Sequence, residues 1–150
     1  MSINALTLVI HVLAVVIWVG GMFFAYMALR PAALTLEPGE RLPLWSRSFA
    51  RFFPWVWAAV TLILATGLWM MAQGKLGLYV HIMFGLGLVM MAIFAHVFFA
   101  PYRRLKAAVA AEDWPEGGKR LAQIRQLVGI NTLIGVIVIA TGAGGRYLLP

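Results

Sequence analysis

Residues 11–31 read HVLAVVIWVGGMFFAYMALRP, an apolar run that opens on a histidine and closes on Arg30-Pro31. A hydrocarbon core of about 30 Å takes roughly 20 helical residues to cross, and this run with its lead-in is long enough. Three further stretches meet the same requirement, which places spans at approximately 5–28, 54–73, 78–100 and 127–148. Composition agrees. Of 150 residues, 63% are hydrophobic and 11% charged, and the mean hydropathy is +0.90, which leaves too little polar surface to cover a water-soluble fold. The expected fold is all-α, an integral membrane four-helix bundle that uses residues 1–150 as a single four-span domain in contact with membrane lipid.

The connections carry the turn chemistry. Arg30-Pro31 and Pro101-Tyr102-Arg103-Arg104 read as helix stops, and Pro54 stands at a tolerated helix start. Gln73-Gly74-Lys75 is a short connection, which predicts that spans two and three are antiparallel neighbours. Ten of the twelve Lys and Arg fall between spans one and two or between spans three and four; only Lys75 and Arg146 fall on the other side. The positive-inside rule then puts both basic loops in the cytoplasm and both termini outside. That sorting also explains the net charge of +7 without nucleic acid as a partner. ERLPLWSRSFARFFPW alternates Arg with large apolar residues and predicts a short cytoplasmic amphipathic segment in the headgroup layer. KAAVAAEDWPEGGKRLAQIRQ predicts an extension of span three, a turn at Asp113-Trp114-Pro115 and a helical lead-in to span four. The opening MSINALTLVIHV has no basic n-region, so the first span reads as a retained anchor.

Depth gives the histidines their meaning. His11 lies about 10 Å below the outer interface at 1.5 Å per residue, and His81 near the same level on span three. His96 is 15 residues further along that span, about 22 Å deeper and within about 60° of the direction of His81, which predicts one shared face turned into the bundle. An ionisable side chain inside a span is a functional-site hypothesis by default. His11 and His81 at matched depth suit two imidazoles ligating one metal, and between four helices the natural occupant is the iron of haem b. Trp18, two turns below His11, would line a ring pocket. Gly21 and the glycines of the other spans would make room for a macrocycle.

Other readings of these residues stand beside that one. Copper also takes imidazole, with soft thioethers such as Met83 beside His81 and Met70 and Met71 in span two. A histidine in a bundle can instead hydrogen-bond across a helix interface, and Asn131 in span four reads as such a structural donor, with His96 within its reach. Tyr79, Lys75, Arg146 and Tyr147 gather near the outer surface, where the two cations would meet haem propionates or snorkel to water. The absence of cysteine excludes disulfides, thiolate metal sites and thiol catalysis. All five acids lie in the basic loops, which leaves carboxylate-based proton pumping no residues within the spans.

The opening stretch, together with RFFPWVW, HIMFGLGLVMMAIFAHVFFAPYRRL and GINTLIGVIVIATGAGGRYL, resembles the CopD-like membrane proteins, which are similar to HemJ-type protoporphyrinogen oxidases. The resemblance implies a four-span protein of the bacterial inner membrane, with His11 carried over as haem ligand or site residue. HemJ-type proteins place a lysine two positions after the third-span histidine; the matching position here is Met83. The leading expectation is therefore a haem b protein with a redox or electron-transfer role, ligated by His11 and His81, with His96 at a second centre or in proton or quinone chemistry. A quinone, a porphyrin or a periplasmic redox protein would be its partner, and two copies would be able to pair. The alternatives are copper transport or homeostasis through His and Met, and a structural assembly partner.

Overall fold

The computed structural model describes residues 2–74 and 77–148, so Lys75 lies outside the described residues. Its helices are α1 (Ile3–Phe24), a π-helical turn (Ala25–Leu29), α2 (Arg30–Ala33), α3 (Pro38–Ala72), α4 (Leu78–Phe99), α5 (Pro101–Ala110) and α6 (Trp114–Leu148). Among the described residues no strand occurs, and four helical stretches are long and apolar enough to cross a membrane: Ile3–Ala33, Pro38–Ala72, Leu78–Ala110 and Trp114–Tyr147. The protein is an all-α, multi-pass membrane bundle.

Local chemistry explains where the helices begin, bend and end. Ser2 caps α1, its hydroxyl accepting the N–H of Ala5 at 3.2 Å. Arg30-Pro31 does not stop the first helix. Pro31 lacks an N–H for the carbonyl of Met27, and its ring crowds that carbonyl. The helix widens to a π turn just before it, with the Arg30 N–H reaching back to the Ala25 carbonyl, and then continues through Ala33. After α5, Glu112 takes a left-handed conformation (φ 55°), and the Asp113 N–H bonds the Ala108 carbonyl at 2.9 Å, closing a Schellman motif. The Asp113 carboxylate then accepts the Glu116 N–H at 3.2 Å and starts α6, so the turn predicted at Asp113 forms.

The amphipathic segment expected before Pro54 forms the first half of a longer helix, because α3 runs unbroken from Pro38 to Ala72 with Pro43 and Pro54 inside it. Its buried residues Leu42, Trp45, Phe49, Phe53, Val56 and Ala59 recur every three or four positions, a single stripe that crosses Pro54 and holds the helix together. Spans two and three, joined by a short connection, meet through aromatic side chains, Phe53 and Trp57 of α3 on Phe94 and Phe98 of α4, while the backbone of α3 lies closest to α1 and that of α4 to α6.

Aromatic side chains tie these pairs into one bundle. Phe53, 4% exposed, stacks on Phe49 (ring centroids 5.0 Å apart) and meets Tyr102 (4.8 Å), Phe94 (5.4 Å) and Phe98 (6.0 Å). Trp18 of α1 reaches the same cluster through Phe94 at 6.2 Å. The outward surface is also apolar, with Leu13, Phe24, Trp55 and Leu133 more than half exposed, as a lipid-facing surface requires. Each aromatic pair contributes about 0.5–1.5 kcal/mol beyond the area it buries. Phe53→Ala is therefore expected to destabilise the protein by at least about 2 kcal/mol in a detergent melt followed by circular dichroism, and Trp55→Ala, 63% exposed, to change it by less than about 0.5 kcal/mol.

Candidate functional site

His11 is half-buried on α1, and its partner is on α3. Its Nδ1 lies 2.7 Å from the Thr66 hydroxyl oxygen. That hydroxyl sits so close to the Leu62 carbonyl that its single proton must lie between the two oxygens. The Thr66 hydroxyl therefore donates to Leu62, and His11 Nδ1–H donates to Thr66. This relay fixes the tautomer and leaves Nε2 with a free lone pair, the arrangement that second-shell hydrogen bonds impose on metal-ligating imidazoles. Gly67 lies beside the ring, where a Cβ would rest 3.5 Å from Cε1. Met70 and Met71 follow Thr66 and Gly67 by four residues, so they share the same faces of α3 one turn further toward its C-terminal end.

The other histidines stand apart from His11. His81 and His96 do share a face of α4, but that face looks outward, and both side chains are exposed. The reason is the rotation of α4, which buries Met90, Phe94 and Val97. His81 precedes Met90 by nine residues, about 180° round the helix, and His96 follows Phe94 by two, about 200°. His81 Nδ1–H donates to the Gly77 carbonyl of its own helix at 3.3 Å, leaving Nε2 open. Asn131 does bridge helices as expected, but its Nδ2 donates to the Met90 carbonyl of α4 at 3.3 Å and not to His96.

Four of the glycines expected to make room for a macrocycle, Gly21, Gly135, Gly142 and Gly145, have side chains of this chain laid against them, whereas Gly20, Gly85 and Gly87 have open space beside them. A Cβ at Gly21 would run into the Phe52 ring, one at Gly135 would meet Val19 at 2.9 Å, one at Gly142 would meet Met83 at 2.8 Å, and one at Gly145 would meet Tyr79 at 2.6 Å. Trp18 is 3% exposed and borders a void of about 30 Å³ shared with Phe53 and Asn131, far too small for a porphyrin. These residues do not fit haem between the helices of one chain. Met83 serves α4–α6 packing, and Arg146 lies 5.1 Å from the ring of its neighbour Tyr147. Among the described residues no group of three or more His, Asp or Glu is placed to hold a metal.

Thr66 escaped the sequence reading, although a signal for it exists. It stands six residues before the end of α3, as His11 stands eight residues after the start of α1, so the two polar side chains lie at similar depth on antiparallel helices. The fold and site define a four-helix membrane bundle with a histidine hydrogen-bonded between two of its helices. The model of one family, described as CopD: Copper resistance protein D, matches residues 46–144, about two thirds of the chain. The chain belongs to the copper resistance protein D family. Thr66, His81, Met83 and His96 lie within the matched segment, and His11 and Trp18 precede it. No curated protein and no solved structure matches the chain.

The relay has a direct spectroscopic consequence. In protein labelled with ¹⁵N-histidine, His11 is expected to show the Nδ1-protonated tautomer alone, and Thr66→Val to yield a mixture of both; an unchanged spectrum in the variant would show that Thr66 does not set the tautomer.

Proposed function

We propose that this membrane protein handles copper, with His11 Nε2 as the ligand that takes the ion within the span. The His11–Thr66–Leu62 relay carries this reading, because it orients the ring through Nδ1 and leaves Nε2 as the nitrogen available to a ligand. The thioethers of Met70 and Met71, one turn along α3, are the soft donors that Cu(I) prefers, and low coordination numbers suit a site with few ligands. The family description points to the same metal. Copper here is cargo, bound and passed on, and the relay supplies orientation without needing a change of oxidation state.

One observation favours a second reading. His81 and His96 are exposed on one face of α4, and His81 keeps Nε2 open, so haem b would find axial ligands only outside the bundle, such as between two copies. A quinone, a porphyrin or a periplasmic redox protein would then be the exchange partner. The likeness to HemJ-type proteins rests on residue pattern alone.

Protein purified from copper-supplemented, haem-replete cells separates the two. The copper reading expects bound copper, with affinity lowered about 10–100-fold in Thr66→Val and further in His11→Ala, and no reduced-minus-oxidised haem signal. A haem signal that disappears in His81→Ala, with no copper in the sample, would replace it with the haem reading.

A further inference from the structure

At the basic end of the bundle, the π turn after α1, the first half of α3 and the first half of α6 enclose a cavity of about 140 Å³. One water needs only about 10–15 Å³. Three arginines line this space, Arg30, Arg41 and Arg125, together with Tyr26, Trp45 and Phe49. We propose that this cavity binds a phosphate-bearing anion, with Arg30, whose Nε is buried, as its central ligand and Arg41 and Arg125 closing on it from the sides.

Arg30 supplies the observation that snorkelling does not explain. A snorkelling arginine keeps its polar head in water, whereas Arg30 Nε is buried and has no hydrogen-bond partner. An unpaired buried donor on a cation is among the costlier defects a fold can retain. The guanidinium is held in place by position and by stacking: it lies 5.3 Å from the centre of the Tyr26 ring, and Tyr26 in turn lies against Gly129 of α6, where a Cβ would come within 2.9 Å of it. Tyr26 belongs to the π turn and Arg30 caps its end, and such turns are frequent at functional sites.

The charge around the cavity is uncompensated. Arg41 donates to the Leu36 carbonyl at 3.2 Å, an uncharged acceptor, and Arg125 is exposed. Among the described residues the ion pair that forms is Arg120–Glu116 at 2.6 Å, which involves none of the three. Planar guanidinium forks match phosphate oxygens in pairs, and three cations without a carboxylate select an anion over a zwitterion. The aromatic walls suit the glycerol and upper acyl carbons of a lipid, and free phosphate would satisfy the same cations.

The test uses the full chain in phosphatidylcholine bilayers with and without phosphatidylglycerol, with inorganic phosphate as the soluble probe. Wild-type protein is expected to retain phosphatidylglycerol through delipidation, scored by native mass spectrometry, and to melt at higher temperature with it. Arg30→Gln and Arg125→Gln are expected to lose about tenfold or more of that retention, and Arg104→Gln, exposed and away from the cavity, to keep it. Displacement of the lipid by millimolar phosphate assigns the site to phosphate in general, and retention against it assigns the site to the lipid headgroup; either supports the proposal. In phosphatidylcholine alone, Arg30→Met is expected to melt no lower than wild type, because it removes an unpaired buried group. Equal retention in Arg30→Gln and wild type, no effect of either probe, or a large loss of stability in Arg30→Met without anion would overturn it.

Discussion

Lipid tails solvate leucine as well as a protein core does, so helices in a membrane gain little by merely hiding apolar side chains from their surroundings. What holds this bundle is close fit. Tyr79 and Met83 of α4 seat on Gly145 and Gly142 of α6, Val19 of α1 on Gly135, and Phe52 of α3 on Gly21 of α1. Each contact brings a large side chain against a helix backbone, and the aromatic cluster around Phe53 fills the space where α1, α3, α4 and α5 converge. The positions of the functional side chains follow from these contacts, since a helix seated at several points has no freedom to rotate.

Rotation explains why the histidines divide. On α1, the face that buries Ala14, Trp18 and Met22 brings His11 to α3 and to Thr66. On α4, burial of Met90, Phe94 and Val97 sends His81 and His96 to the opposite side. Matched depth was sound reasoning for His11, because antiparallel packing of α1 and α3 does pair polar residues of equal depth. It chose the partner wrongly in this respect: Thr66, and not His81, lies beside the ring. The same packing gives the two ends different chemistry, a neutral histidine–threonine hydrogen bond at His11 and a cavity lined by arginines around Arg30.

Much of the architecture was legible because it depends on local features. Four apolar runs of sufficient length yield four crossing helices, and Asp113 ends one helical hairpin and starts the next helix. Proline was the misleading signal. Pro31 and Pro54 read as boundaries, yet one is absorbed by a π turn and the other by a stripe of buried residues on both sides of it. A proline removes one hydrogen bond and crowds one carbonyl; in a long apolar helix the packing on either side outweighs that local cost.

By itself the sequence determined the membrane class, the number of crossings, the all-α fold and the presence of imidazoles within the spans. These follow from hydropathy and helical rise, which act along the chain and need no knowledge of neighbours. The tertiary structure alone decided that α1 pairs with α3, that Gly21, Gly135, Gly142 and Gly145 receive side chains of this chain, that His11 meets Thr66, and that Arg30 Nε is buried beside Tyr26. All of these depend on how each helix is turned about its axis, and that angle is set by which side chains fit together across interfaces between residues distant in sequence.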